Sequence, residues 1–240
     1  MLITKEDLNM LKNDVINSVV HTHNSLLYNI LNRELSLIDH VKLSAKLSSV
    51  KYVEENMYNA VLLTDYKEFR EYTLSKVKPN GIAAEFGVWK GGSINFIADT
   101  LKQTIYGFDS FEGLKEDWKG DVDHTQGKFN LNGVLPEVRS NVTLVKGWFN
   151  ETIPNWLKTI DNDWLSFIHI DCDTYESSKI VLNEVGHMIK PGTVVMFDEY
   201  IGRPAWKHNE FRAWQEFVKD KGIKYEYLAA CEQQVSVAIL

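Results

Sequence analysis

The sequence has 240 residues, of which 44% are hydrophobic and 25% charged, as in an ordinary globular protein long enough for one sizeable core. Its formal net charge of -7 argues against a nucleic-acid partner, because binding to phosphates requires a basic surface. The chain has only two cysteines and no apolar run long enough to cross a membrane, so we expect a cytoplasmic protein without disulfides or membrane contact.

The N-terminal third of the chain is predicted to be helical. Thr4 is a possible N-cap, and apolar residues recur at helical spacing after it. No glycine or proline interrupts the chain before Pro79. We therefore divide the chain into an N-terminal helical cap, residues 1–78, and a second domain, residues 79–240. Helices that simply flank a sheet are the ordinary interpretation of such a pattern.

Strands and helices alternate after residue 78. The predicted strands cover residues 82–86, 104–108, 142–145, 164–170, 193–197, 223–228 and 234–239. Such alternation indicates an α/β fold with a doubly wound, mostly parallel sheet of seven strands, similar to a Rossmann fold. The last two strands are joined by only a few residues, which cannot hold a crossover helix. They are therefore predicted to form an antiparallel C-terminal hairpin.

A glycine-containing turn follows the first of these strands. Gly87 and Gly91 allow the backbone to approach a ligand closely, and Ser93 is a candidate N-cap for the next helix. The turn departs from the dinucleotide fingerprint, because Glu85 precedes the first glycine and the glycine pair comes late. A carboxylate suits an ammonium group better than a pyrophosphate. The turn therefore favours S-adenosylmethionine, which carries an ammonium group and no phosphate, over a dinucleotide.

The ends of the second and third strands supply further candidates for cofactor binding. Asp109 ends the second strand, where an acid can accept hydrogen bonds from ribose hydroxyls in either kind of cofactor. Ser110 and Phe111 follow it and are included among the cofactor-binding candidates. After the third strand, Trp148 or Phe149 is placed to flank an adenine ring, although hydrophobic packing explains both rings equally well.

Acidic residues follow the fourth and fifth strands. Asp171 and Asp173 come after one strand, and Asp198 and Glu199 come after the next. Because parallel strands point the same way, these carboxylates are predicted to meet at one edge of the sheet, where they suit a hard cation such as Mg²⁺. Solvated acids are the alternative, and Asp173 has a competing role as a helix cap. His169, inside the fourth strand, is interpreted as a hydrogen-bonded core residue.

The motifs, taken in order, resemble those of the macrocin-type sugar O-methyltransferases, which are metal-dependent class I enzymes that use S-adenosylmethionine. The matching runs are residues 85–93, 109–114, 147–149, 171–177 and 198–200. The resemblance implies that Asp171, Asp198 and Glu199 bind the metal and that Asp173 is the general base. Related enzymes commonly have Asp-Asp where this chain has Asp198-Glu199. Because side chains alternate along a strand, ligation by both residues requires the backbone to turn at Asp198.

The resemblance also implies a reaction. A divalent cation that binds two adjacent hydroxyl oxygens orients the acceptor and lowers the proton affinity of the attacking oxygen. The expected acceptor is a small-molecule sugar or glycoside, and the expected assembly is a homo-oligomer. Metal-dependent methylation of a catechol-like phenol is an alternative, since a catechol presents the same pair of oxygens. A nicotinamide-dependent dehydrogenase is disfavoured by the glycine pattern, and a non-catalytic cofactor-binding scaffold is a third possibility.

Overall fold

A computed structural model describes residues 12–22, 36–118 and 125–240 of the chain. The chain divides into two compact units, Met1–Val41 and Lys42–Leu240. In the first unit, residues 12–22 form helix α1. The N-cap predicted at Thr4 lies outside the described residues. None of the helices in the described ranges is long and apolar enough to cross a membrane.

The second unit contains a mixed sheet with helices on both faces. The remaining helices are α2 (Leu37–Asn56, which begins in the first unit), α3 (Tyr66–Leu74), α4 (Gly92–Leu101), α5 (Phe149–Leu157), α6 (Tyr175–Val185) and α7 (Glu210–Lys221). The strands are β1 (Val61–Leu62), β2 (Ile82–Phe86), β3 (Ile105–Asp109), β4 (Val142–Lys146), β5 (Leu165–Ile170), β6 (Val194–Phe197), β7 (Tyr225–Cys231) and β8 (Gln234–Ile239).

The sheet order is β1-β7-β8-β6-β5-β2-β3-β4, and β8 runs antiparallel to both of its neighbours. This arrangement confirms the predicted doubly wound, mostly parallel sheet with a C-terminal antiparallel hairpin. The chain builds outward from β2 in both directions, with β3 and β4 on one side and β5 and β6 on the other. Open α/β sheets bind ligands in the crevice where the strand order reverses in this way, at the carboxyl ends of the strands.

One strand of the described sheet was not predicted. Residues 52–77 read as helix from the sequence, but α2 ends at Asn56 and β1 pairs in parallel with β7 at the edge of the sheet. Helix α3 then starts after Asp65, whose side chain accepts hydrogen bonds from two backbone amides of the first turn. A two-residue strand is too short for alternation to reveal it, and no glycine or proline marks the break.

Strand β5 lies in the middle of the sheet and is buried along its whole length. Apolar side chains cover both faces, as expected for a parallel sheet packed between helices. Two titratable residues of the central strands, Glu85 and His169, are nevertheless fully buried. They lie opposite each other on β2 and β5. Buried polar groups in such positions need partners, and theirs are described below.

Candidate active site

A cavity of about 460 Å³ opens at the carboxyl edge of the sheet, where β2, β3, β5 and β6 end. Ten residues singled out from the sequence line it: Gly87, Ser93, Asp109, Ser110, Trp148, Phe149, Asp171, Asp173, Asp198 and Glu199. The size suits a small-molecule ligand. The glycine turn and the acidic strand ends therefore belong to one site, with the predicted cofactor residues on one side and the carboxylates on the other.

Three of the predicted cofactor residues do not line this cavity. Gly91 has a left-handed backbone and precedes the first residue of α4. Phe111 is buried, and its amide donates to Oδ1 of Asp109 across 2.7 Å. Glu85 is fully buried within β2. The part that these three residues take in cofactor binding stays a prediction.

The carboxylate of Glu85 is occupied by two protein partners. Ser93 Oγ donates to Oε1 across 3.0 Å, and His169 Nδ1 lies 2.9 Å from Oε2. The contact with a ligand ammonium predicted for Glu85 stays a prediction, and Ser93, one of its two partners, lines the cavity. Ser93 is not the N-cap of α4, because it lies inside that helix and gives its hydroxyl to Glu85.

Asp109 holds the glycine turn in place. Its Oδ2 accepts hydrogen bonds from the amides of Val88, at 2.9 Å, and Trp89, at 2.8 Å. Each carboxylate oxygen has two lone pairs, so the side chain retains acceptor capacity toward the cavity. Asp109 thus organises the turn in addition to the ribose contact predicted for it.

Gly87 marks the point where the glycine turn meets the acidic loop after β5. Its φ is +96°, and a Cβ atom there would lie 1.6 Å from the carbonyl oxygen of Asp171. The amide of Asp171 donates a hydrogen bond to the carbonyl of Phe86, the residue before Gly87, and the amide of Gly87 donates to Phe108 at the end of β3. Only glycine fits this position. The glycine turn therefore packs directly against the acidic loop after β5.

The loop after β5 directs two acids into the cavity. Asp173 is 8% exposed and has a φ of +63°, an uncommon conformation for a residue other than glycine. The capping role that competed for Asp173 belongs to its neighbour, because Thr174 is the N-cap of α6 and accepts from the amide of Ser177. Strained backbone at such a position is common at functional sites.

The acids form two overlapping groups of possible metal ligands. One contains Asp171, Asp173 and Glu199, and the other contains His169, Asp171 and Asp198; in each group one donor atom per residue lies within 4.8 Å of the others. Asp198 and Glu199 both line the cavity, and the backbone bends at these residues directly after β6. The three ligands implied by the resemblance do not, however, form a single group within this distance among the described residues.

Burial and mutual repulsion make the acids costly to ionise together. Burial raises the pKa of Asp171 well above its usual range, and the charges of Asp198 and Asp173 raise it further. The pKa of Glu199 is raised by the same causes in the same order. Oε2 of Glu199 is buried and accepts no hydrogen bond from the described residues. A buried acceptor without a donor, set among repelling carboxylates, fits a divalent cation.

Residues outside the predicted motifs hold these acids in place. Gln234 donates from Nε2 to Oδ1 of Asp198, and Arg70 lies 3.9 Å from the same oxygen. The amide of Glu199 donates to Oε2 of the fully buried Glu210 across 3.1 Å. Sequence reasoning missed all three residues, because they lie on α3, β8 and α7 and belong to no recognisable motif.

The mouth of the cavity includes two aromatic residues that were also missed as site residues. The rings of Trp89 and Phe129 meet edge to face at 5.4 Å, and both residues have positive φ. Trp89 is 42% exposed. The only sequence feature that pointed to either residue was the position of Trp89 within the glycine turn. Nothing in the sequence indicates that Phe129 packs against Trp89.

Comparisons with known proteins find similarity to methyltransferases. Residues 84–200 match a family model described as a methyltransferase domain. A curated relative from Streptomyces olivaceus, the 8-demethyl-8-(2,3-dimethoxy-alpha-L-rhamnosyl)-tetracenomycin-C 4'-O-methyltransferase, is 30% identical over 54% of this chain and 58% of its own length. The demethyldecarbamoylnovobiocin O-methyltransferase of Streptomyces niveus is 29% identical over 55% of this chain and 58% of its own. The matched region thus spans little more than half of each relative.

Solved structures confirm the fold. The O-methyltransferase NovP superposes with a TM-score of 0.55 over 72% of this chain and 78% of its own, at 23% identity. The calicheamicin methyltransferase CalS11 superposes with a TM-score of 0.56 over 99% of this chain and 94% of its own, at 18% identity. The predicted resemblance to sugar O-methyltransferases and the class I methyltransferase fold are both confirmed.

Proposed function

We propose that this chain, which carries a methyltransferase domain over residues 84–200, transfers a methyl group from S-adenosylmethionine to a hydroxyl of a sugar or glycoside with the help of Mg²⁺ or another divalent cation. One observation carries the proposal. A single cavity joins the glycine turn and Asp109 to the acidic ends of β5 and β6. A methyl donor on one side and a cation-bound acceptor on the other would then lie within one enclosed space.

Polar groups and aromatic rings among the cavity-lining residues support the cofactor part of the proposal. Ser93 and Asp109 supply a hydroxyl and a carboxylate, and Trp148 and Phe149 supply two rings. When bound, S-adenosylmethionine supplies a methyl group on a sulfonium, which leaves as a neutral thioether. The task of these residues is to fix the donor so that the acceptor oxygen can approach the methyl carbon in line.

The metal ligands proposed are Asp171, Asp198 and Glu199. Their support is the unpartnered Oε2 of Glu199 and the burial of oxygen donors that Mg²⁺ prefers. A divalent cation held there would orient two neighbouring acceptor hydroxyls and lower their proton affinity. Among substitutions of Glu199, we expect Glu199→Asp to retain the most activity, because Asp is common at this position in related enzymes.

The proposed general base is Asp173. It lines the cavity, and Thr174 relieves it of the helix-capping role. A carboxylate at this position would accept the proton of the attacking hydroxyl as the oxygen–carbon bond forms. Because Asp173 also groups with Asp171 and Glu199, a ligand role competes with the base role. Asp173→Asn should lower kcat while cation affinity stays within about threefold; a larger loss of affinity would assign it to the metal instead.

The acceptor class is proposed from the relatives, one of which is named for 4'-O-methylation of a rhamnosyl-bearing tetracenomycin. The test is methyl transfer to a panel of glycosides and catechols, with binding of S-adenosylmethionine measured by calorimetry on the same sample. Turnover of vicinal-diol glycosides supports the proposal. Preference for catechols would instead indicate a catechol-like phenol O-methyltransferase. Tight cofactor binding without any methyl transfer would indicate a non-catalytic scaffold.

Two further expectations stay predictions. The homo-oligomer has one structural support, an exposed apolar stripe on α2 made of Leu43, Leu47 and Val50, at helical spacing. Light scattering after size exclusion, with Leu47→Glu as the variant, measures whether this stripe holds copies together. The absence of a nucleic-acid partner rests on the net charge of -7 and is checked by a gel-shift assay.

A further inference from the structure

His169 lies in the middle of β5 and is fully buried. It pairs in register with Glu85 of β2 on one side and with Met196 of β6 on the other. Asp171 and Asp198 come two residues after His169 and Met196, just past the ends of β5 and β6. His169 therefore lies directly beneath the carboxylates of the proposed metal site.

One nitrogen of the ring is fixed by Glu85. His169 Nδ1 lies 2.9 Å from Oε2 of that residue, whose other oxygen accepts from Ser93. A carboxylate only accepts hydrogen bonds, so Nδ1 carries the proton in this pair. In the neutral ring, Nε2 then presents a lone pair.

The other nitrogen has no partner. His169 Nε2 is buried and makes no hydrogen bond within the described part of the chain. A ring nitrogen of His169 and one oxygen each of Asp171 and Asp198 lie within 4.8 Å of one another. Because Nδ1 turns toward Glu85 on the β2 side, Nε2 is the nitrogen left for Asp198 on the β6 side.

This combination is how proteins hold a metal-ligating histidine. Such a histidine donates its other N–H to a carboxylate, which fixes the tautomer and raises the basicity of the ligating nitrogen. Ligands on opposite sides of a transition-metal ion are about 4.2 Å apart, given metal–nitrogen distances of about 2.1 Å. The three donor atoms lie within 4.8 Å of one another, so a small side-chain adjustment is enough to enclose an ion.

We propose that His169 is a nitrogen ligand, through Nε2, to a transition-metal ion bound beside it by Asp171 and Asp198. An imidazole suits Mn²⁺, Fe²⁺, Co²⁺, Ni²⁺ or Zn²⁺, whereas Mg²⁺ prefers oxygen. The site should therefore bind a transition-metal ion more tightly than Mg²⁺. The inference rests on the proposed function only in that it needs a divalent cation at the acidic cluster.

The test uses Mn²⁺ and the full-length protein. Electron spin echo envelope modulation of bound Mn²⁺ detects a directly coordinated nitrogen, and incorporation of ¹⁵N-histidine shifts its frequencies. We expect a nitrogen coupling that changes with the isotope. This measurement needs no variant, so a folding defect cannot obscure it. Bound Mn²⁺ without nitrogen coupling would overturn the proposal.

Variants assign the coupling to one of the seven histidines of the chain. His169→Gln should remove the nitrogen signal and weaken Mn²⁺ binding about 10- to 100-fold, and Glu85→Gln should weaken it about 10-fold. The matched control is His187→Gln, at an exposed position, which should change neither. A signal that persists in a folded His169→Gln protein would contradict the assignment.

The outcome is separable from that of the proposed function. Mg²⁺-supported methyl transfer with no nitrogen coupling to Mn²⁺ would overturn the histidine ligand and leave the proposed function standing. A nitrogen coupling without methyl transfer to any acceptor would support the histidine ligand and overturn the proposed function. Failure of Mn²⁺ to bind at all would overturn the histidine ligand, and Mg²⁺-supported methyl transfer would then decide the proposed function separately.

Discussion

The backbone amide of Glu199 donates a hydrogen bond to the carboxylate of Glu210 across 3.1 Å, so a buried acid on α7 fixes the position of an acid in the cavity. The backbone of Cys172 also favours the charged form of this carboxylate and so lowers its pKa. Glu210 therefore ties together the loops that follow β5 and β6, which carry all four acids of the site. It lies outside residues 84–200, the region that matches the methyltransferase model.

Replacement of Glu210 should separate its acceptor role from its charge. Glu210→Ala leaves the backbone amide of Glu199 without its acceptor and is expected to lower the free energy of unfolding by about 1–3 kcal/mol and to weaken Mn²⁺ binding. Glu210→Gln keeps an acceptor oxygen and should preserve both. Chemical denaturation and Mn²⁺ titration measure these effects, with the exposed Glu54→Ala as control. Equal loss of Mn²⁺ affinity in both Glu210 variants would show that the residue is itself a ligand.

The stability of the metal-free protein should fall as pH rises from about 5 to 8. Burial raises the pKa of Glu210 well above its usual range; the amide of Glu199 opposes this shift, and the charge of Asp198 adds to it. Burial likewise raises the pKa of Asp171 and Glu199. The folded state then binds more protons than the unfolded chain, whose carboxyl pKa values are about 4, so the stabilisation is complete below that pH and lost above it.

Thermal unfolding in a chelator across this range measures the effect. Acids with lowered pKa values, such as Asp99 and Glu216, lose their contribution only at lower pH and do not interfere. Saturating divalent cation should reverse the slope, because binding requires deprotonated ligands. A melting temperature in chelator that rises from pH 5 to 8 would contradict the account of the buried acids.

Gly87→Ala should disrupt the junction between the two halves of the cavity. The added Cβ would lie 1.6 Å from the carbonyl oxygen of Asp171, on a backbone with φ of +96°. Strain and steric clash together are expected to cost at least about 3 kcal/mol. The control is Gly222→Ala, which has a φ of +65° and open space around the new atom, and should cost only about 1–2 kcal/mol. Equal losses of unfolding free energy in Gly87→Ala and Gly222→Ala, measured by denaturation, would mean that backbone movement relieves the clash at Gly87.

Asp198→Asn should abolish methyl transfer and leave the affinity for S-adenosylmethionine nearly unchanged. The amide keeps the shape of the side chain but removes the charge that would attract a cation. Calorimetry with the cofactor and a transfer assay measure the two properties on one sample, and the exposed Asp220→Asn serves as control. A collapse of cofactor affinity together with turnover would assign Asp198 to the cofactor or to the fold.

Local sequence patterns were enough to predict most of the fold. The alternation of strands and helices, and the short connection before the last strand, predicted the doubly wound sheet and its hairpin. Strand β1 was not predicted, because its two residues, Val61 and Leu62, form a strand by pairing with β7 and show no sequence pattern of their own.

The site was predictable where each residue follows a strand directly. The acids at positions 171, 173, 198 and 199 and the turn around Gly87 meet in one cavity because parallel strands end at one edge. The partners of buried groups could not be predicted. His169 and Glu85 are 84 residues apart, and their contact depends on the register between β5 and β2, which sequence periodicity does not specify.

The most direct test of the central claim is methyl transfer from labelled S-adenosylmethionine to a vicinal-diol glycoside, measured on one preparation before chelation, after chelation and after Mg²⁺ or Mn²⁺ is restored. The account predicts transfer that disappears in the chelator and returns with the cation. Cofactor binding should persist throughout. Transfer at an undiminished rate in the chelator would contradict it, because the carboxylates after β5 and β6 would then have no cation to hold.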